Sequence, residues 1–239
     1  MNNIAKRLIP LIDLTRLVEN DKDEPIRELC HAAQTTLGPV AAVCIYPNFV
    51  RLAKKCLQNT TIKIATVVNF PSGNELLEDC LKEIETALQD GANEIDVVLP
   101  YQNYLDNNVD DVREFLQACR GICEKNIILK VILETGALIN ANVIADAANL
   151  AIICGADFIK TSTGKITAGA TLDAAATILD VIKKYPQKTV GLKLSGGIQT
   201  MAQAAEYIDL VEKKMGPQWI SPRTLRFGAS RLLQDILHA

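Results

Sequence analysis

The sequence has little histidine: His31 and His238 are the only two in 239 residues. A catalytic divalent metal normally draws on several His or carboxylate ligands, so this scarcity argues against a zinc mechanism and leaves only a carboxylate-bound ion open. No apolar run approaches the ~20 residues needed to cross a bilayer. The opening MNNIAKRLIPLIDLT (1–15) has a short apolar core broken by Pro10 and Asp13, so no export signal is expected. Neither sign of charge dominates. With 25 basic and 28 acidic residues the formal net charge is −3, which gives no broad pull toward nucleic acid or membrane. Cysteine is present but unpatterned: Cys30, Cys44, Cys56, Cys80, Cys119, Cys123 and Cys154 are odd in number and form no CxxC pair. They read as small apolar residues of a reducing, cytoplasmic compartment. No low-complexity tract, linker or charge block divides the chain.

What is present is alternation. Short β-rich runs recur along the chain with helical patterns between them. The strand candidates are LIDLT (11–15), AAVCIY (41–46), IKIATVVN (62–69), EIDVV (94–98), IILKVILE (127–134), DFIKTS (157–162), VGLKLS (190–195) and LRFGAS (225–230). Helices are expected over 74–90 and 140–154, stopped by Gly91 and Gly155. Apolar residues make up 49% of the chain, enough for a substantial core. Five or six such units would suit an open doubly wound sheet. Eight predict a closed α/β fold, a single (β/α)8 TIM barrel over 1–239, near the ~250 residues typical of one.

Side chains alternate along a strand, so parity separates those that meet the helices from those that enter the barrel. In IILKVILE the wholly apolar set Leu129, Val131 and Leu133 faces out, which sends Lys130 and Glu134 inward. The same rule turns Phe158, Lys160 and Ser162 inward, with Gly191 and Lys193, Glu94 and Asp96, and Cys44 between Val43 and Ile45. Such barrels normally fill with branched apolar residues, and lysine is almost never buried without a partner or a purpose. For Lys130 a structural ion pair with Glu134 or Asp13 is an equal reading. Lys160, Lys193 and Asp96 lie near the C-terminal ends of their strands, where barrel active sites assemble.

Burial and mutual repulsion lower a lysine pKa, and a neutral amine in a closed pocket attacks carbonyls. Asp96, from a nearby strand, can move protons directly or through a water. Amine, second cation and acid suit carbon–carbon cleavage beside a carbonyl. Gly164 after strand six, Gly196-Gly197 after strand seven and Gly228-Ala229-Ser230 at strand eight add an expected phosphate cradle of bare backbone N–H groups.

FIKTSTGK (158–165), EIDVVLPY (94–101), KVILETG (130–136) and RFGAS (226–230) resemble deoxyribose-phosphate aldolases. IDLT (12–15), CIYP (44–47), ATVVNFPSG (65–73) and TVGLKLSGGI (189–198) extend the likeness over almost the whole chain. The resemblance implies reversible cleavage of 2-deoxy-D-ribose 5-phosphate to glyceraldehyde 3-phosphate and acetaldehyde, without cofactor. It assigns the Schiff base to Lys160, proton relay to Asp96 and the pKa-lowering cation to Lys193. It places Asp13, Thr15 and Lys130 in the pocket, and Thr163, Gly164, Lys165, Gly196, Gly197, Gly228 and Ser230 toward the phosphate. Small phosphosugars and aldehydes are the expected partners, with a homodimer or homotetramer as the assembly. Neither nucleic acid nor membrane is expected as a partner, and no metal site.

The sequence departs from the family pattern in three places. Many members read KPAGG where this chain has Lys193-Leu194-Ser195-Gly196-Gly197, a change that falls on the outward-facing Leu194. Many carry a second serine where Arg231 follows Ser230, which removes a phosphate donor or adds a cation. Some continue to a C-terminal tyrosine that protonates the enamine, whereas this sequence reads to Leu237-His238-Ala239, so weaker turnover is expected. Another Schiff-base barrel aldolase, transaldolase-like or acting on keto acids, is the alternative enzyme. A phosphosugar-binding barrel is the alternative outside catalysis.

Overall fold

A computed structural model describes residues 2–124 and 126–238. Its strands are β1 (Ile12–Thr15), β2 (Ala42–Ile45), β3 (Lys63–Val68), β4 (Glu94–Val98), β5 (Ile128–Ile132), β6 (Phe158–Lys160), β7 (Gly191–Ser195) and β8 (Leu225–Ala229). Each falls within its expected run. They pair in parallel in sequence order, and β8 closes on β1, making a barrel. The helices that follow them are α1 (Asp23–Ala32), α2 (Val50–Cys56), α3 (Leu77–Asp90), α4 (Val109–Ile122), α5 (Ala141–Ile153), α6 (Leu172–Ile182), α7 (Met201–Met215) and α8 (Leu232–His238). No helix among the described residues is long and apolar enough to cross a membrane.

Outward strand residues such as Ile95, Val97, Leu129, Val131, Ile159, Leu192 and Leu194 join one continuous core with buried helix residues that include Ile84, Leu116, Ile178 and Ile208. Removing this apolar surface from water is the main stabilisation of the shell. Only a small apolar group, Ala42, Cys44, Ala65 and Val67, occupies the β2–β3 side of the interior.

Helix boundaries follow local chemistry. α3 stops at Gly91, whose left-handed φ of 106° lets its N–H reach back to the Ala87 and Leu88 carbonyls. Its first turn begins at Leu77 rather than at 74, because the Asn69 side chain accepts the Glu75 N–H (2.8 Å) and holds the preceding loop out of the helix. α5 begins one residue late for a related reason: Asn140 is its N-cap, accepting the N–H of Asn142. Elements outside the sequence reading include a helix at Asn2–Leu8, short helices at Tyr101–Leu105 and Thr135–Leu138, single 3-10 turns at Ile9–Leu11, Pro47–Phe49 and Pro217–Trp219, and a small hairpin pairing Gln34–Thr35 with Gly38–Pro39.

Candidate active site

Strand registers arrange the inward side chains in tiers of four, drawn from alternate strands as in other such barrels. The lowest tier holds Ala42, Glu94, Phe158 and Arg226, and the next Asp13, Ala65, Lys130 and Lys193. Cys44, Asp96, Lys160 and Gly228 form the third tier, with Thr15, Val67, Ile132 and Ser195 above it at the C-terminal mouth. Gly228 has no side chain for a steric reason: a Cβ there would sit 3.0 Å from Lys193 Cε and 3.1 Å from Ser195 Cβ.

Asp96 is the hub. Its Oδ2 accepts from Lys160 Nζ at 3.0 Å and Lys193 Nζ at 2.7 Å, and its Oδ1 from Lys130 Nζ at 2.7 Å. Lys193 also pairs with Asp13 at 2.6 Å, while Lys130 pairs with Glu94 at 2.6 Å and more loosely with Asp13 at 3.6 Å. Arg226 spans Asp13 (2.5 Å) and Glu94 (3.0 Å). All these side chains are buried, so each charge has left water and depends on its partners.

The lysines diverge electrostatically. Burial, reinforced by Lys193, lowers Lys160 below the ordinary lysine value even though Asp96 opposes the shift. For Lys193 burial is outweighed by Asp13 and Asp96, so it is held firmly as a cation. The net shift is therefore downward for Lys160 and upward for Lys193. Asp96 lies well below the usual carboxylate range, because Lys130, Lys193 and Lys160 together overcome its burial. Counting fixed charges, Asp13, Glu94 and Asp96 are matched by Lys130, Lys193 and Arg226. A proton on Lys160 would be the surplus.

Above this cluster opens a cavity of about 570 Å³. Of the three inward lysines only Lys160 lies on its wall, with Thr15, Thr163, Gly164, Lys165, Gly196, Gly197, Gly228 and Ser230. Asp13 and Lys130, expected in the pocket, lie one tier below its floor, because their strand positions are deeper in the barrel. Glu134 is not the partner of Lys130. Its backbone turns left-handed (φ 56°) at the end of β5 and its carboxylate accepts from the Thr163 N–H and hydroxyl. Both Thr163 donors are thereby committed away from the cavity. Thr15 likewise spends its hydroxyl on the Asp13 carbonyl (2.8 Å). Lys165 Nζ reaches over to the Leu17 carbonyl (2.7 Å) in the loop after β1. Gly196 and Gly197 take successive φ values of 88° and 86°, a conformation L side chains rarely adopt, and space around Gly197 is open. Cys44 Sγ lies 4.0 Å from Asp96, and burial pushes its thiol pKa up.

A buried amine whose pKa is lowered, bonded into an ionic cluster at the floor of a pocket, is the arrangement a carbonyl-attacking aldolase requires. The model of the DeoC/LacD family aldolases matches residues 7–233. The chain belongs to this family. It is an aldolase, hence a lyase. A candidate deoxyribose-phosphate aldolase from Coccidioides immitis is 30% identical, with a TM-score of 0.84 covering 98% of this chain and 85% of that one. A second candidate of the same description, from Toxoplasma gondii ME49 in its apo form, is 25% identical with a TM-score of 0.90 over 99% and 95% of the two chains. The tetrameric deoxyribose phosphate aldolase of Aeropyrum pernix, 24% identical with a TM-score of 0.76 over 99% and 90%, shares the fold.

Arg226 and Ser195 of this aldolase are buried polar residues outside the expected site. Arg226 stands between Leu225 and Phe227, so the parity rule used on the other strands marks it as an inward cation. Ser195 lines the cavity, and its hydroxyl donates to the Ser162 carbonyl at 2.5 Å. No pattern in the sequence distinguishes it from an ordinary strand end.

Proposed function

We propose that this aldolase cleaves 2-deoxy-D-ribose 5-phosphate reversibly to D-glyceraldehyde 3-phosphate and acetaldehyde through a Schiff base on Lys160. The observation that carries the reading is that Lys160 alone among the buried lysines reaches the cavity, and it is the one whose pKa is lowered. Its amine attacks the C1 aldehyde of the open-chain sugar, and loss of water leaves an iminium ion. That ion accepts the electron pair of the C2–C3 bond as it breaks, while the C3 hydroxyl loses its proton and glyceraldehyde 3-phosphate departs. The resulting enamine is protonated at C2, and water hydrolyses the imine to release acetaldehyde and restore the amine. Asp96, hydrogen-bonded to Lys160, is the group that moves these protons through a water, since its carboxylate lies below the cavity floor. Lys193 keeps the amine neutral between turnovers.

Deoxyribose 5-phosphate is the preferred substrate class for two reasons. Gly164, Gly196, Gly197, Gly228 and Ser230 line the same cavity as Lys160, and the two related candidates carry that enzyme's description. The test is product analysis. The purified protein given 2-deoxy-D-ribose 5-phosphate should yield acetaldehyde and glyceraldehyde 3-phosphate in equal amounts, and Lys160→Ala should yield neither. Cleavage of a keto acid or transaldolase substrate in its place would transfer the site to another Schiff-base aldolase, and binding without products would make it a phosphosugar-binding barrel.

A further inference from the structure

The lowest tier of the barrel holds an ion pair that no step of the reaction touches. Arg226, 4% exposed, sends one guanidinium nitrogen to Asp13 (2.5 Å) and the other to Glu94 (3.0 Å). Its Nε donates to the Pro222 carbonyl at 2.5 Å, and its guanidinium lies over the Phe158 ring, 5.7 Å from the centroid. Four neighbours thus fix a side chain that never meets the cavity. Guanidinium does not deprotonate in proteins, so this charge is permanent where a lysine's would be exchangeable.

We propose that Arg226 is a positioning residue of the catalytic centre, whose fixed charge satisfies Asp13 and Glu94 so that the buried cluster is neutral with Lys160 as a free amine. The inference rests on Lys160 being the Schiff-base lysine. Asp13 on β1 is held by Lys193 and Arg226, Glu94 on β4 by Lys130 and Arg226, and Asp96 on β4 by all three lysines. Lys193 on β7 also stands beside Arg226 in register. The remaining groups facing Lys160 are the Cys44 thiol on β2, kept protonated by burial, and Glu134, whose carboxyl is pushed up by burial. Glu134 is hydrogen-bonded to Thr163 and to no member of the ionic cluster, so the tally is that of the bonded groups alone. Without Arg226 three carboxylates face two cations, and a proton on Lys160 is what restores balance in a medium that tolerates net charge poorly.

The test reads the pH dependence of acetaldehyde trapping at Lys160 by borohydride. Arg226→Met should move the acidic limb upward by about one pH unit, the scale of one unit charge acting across a barrel interior at an effective dielectric of ~20. Glu94→Gln should move it downward. The double variant, which loses one charge of each sign, should return close to wild type, and Arg226→Lys should shift less than Arg226→Met. Damage to packing would lower rates without this cancellation. If Arg226→Met fails to fold, Glu94→Gln and the charge-matched double variant still decide the question. A wild-type adduct at Lys160 with unmoved limbs in the variants would overturn the role of Arg226 alone. A wild-type adduct at another lysine would overturn the Schiff-base assignment beneath it.

Discussion

Lys160 and Lys193 are adjacent in register on β6 and β7, both inward and both bonded to the same carboxylate oxygen, yet their pKa values move in opposite directions. The difference is Asp13, which gives Lys193 a second carboxylate and gives Lys160 none. Removing the Lys193 charge as Lys193→Leu should therefore shift the acidic limb of the pH–rate profile upward, toward the ~10.4 of a free lysine. Activity at neutral pH should fall steeply and return in part at pH 9 or above. Lys193→Arg keeps the charge and should preserve more of the profile. A Leu variant that loses rate while keeping the wild-type limb would make Lys193 a substrate contact instead of an electrostatic tuner.

At the scale of elements, the loop after β7 and the packing beneath β6 give separate expectations. If the left-handed Gly196-Gly197 turn holds the phosphate, inorganic phosphate or sulfate should compete with deoxyribose 5-phosphate and hardly with acetaldehyde. Gly197→Val should raise KM for the phosphorylated sugar far more than it lowers acetaldehyde trapping; equal effects would move the phosphate elsewhere. Gly191→Ala addresses stability. An added Cβ would lie 2.3 Å from Phe158 Cε1, and such overpacking typically costs about 1–3 kcal/mol. In a chain of this size that corresponds to a fall in Tm of several °C, on the order of 2–4 °C per kcal/mol, readable by thermal unfolding. An unchanged Tm would mean that Phe158 has room to move.

The eight strands were legible because each carries both a β-rich run and a parity, and inward charges in EIDVV, IILKVILE, DFIKTS and VGLKLS stood out against apolar alternates. The depth of each side chain was not legible. Parity tells inside from outside but not tier from tier, so Asp13 and Lys130 were expected in the pocket when their registers set them beneath it. The Glu134–Thr163 contact was equally hidden, because it depends on a left-handed residue after β5 that no local signal marks. Asn69, whose side chain delays α3, shows the same limit at a helix start.

The whole molecule is a stable apolar shell around an ionic interior, and that interior should govern its response to pH. The folded pKa values of Asp13 and Asp96 lie below their unfolded ~3.9, so their contribution is full above that value and is lost as pH falls through the folded values. Lys193 is shifted the other way: its contribution is full below the unfolded ~10.4 and is lost only as pH rises through a higher folded value. Denaturant midpoints should accordingly drop steeply below about pH 4, and Asp13→Asn should flatten that acid limb. A midpoint that falls already between pH 7 and pH 5 would point to other groups.

We propose that Lys160 is the one amine of this barrel that forms a covalent imine. Borohydride reduction in the presence of acetaldehyde, followed by peptide mapping, tests it directly. A single ethyl group is expected on the peptide containing FIKTSTGK, at Lys160, and none in Lys160→Ala. An ethyl group on Lys193 or Lys130, or an undiminished adduct in Lys160→Ala, would contradict it.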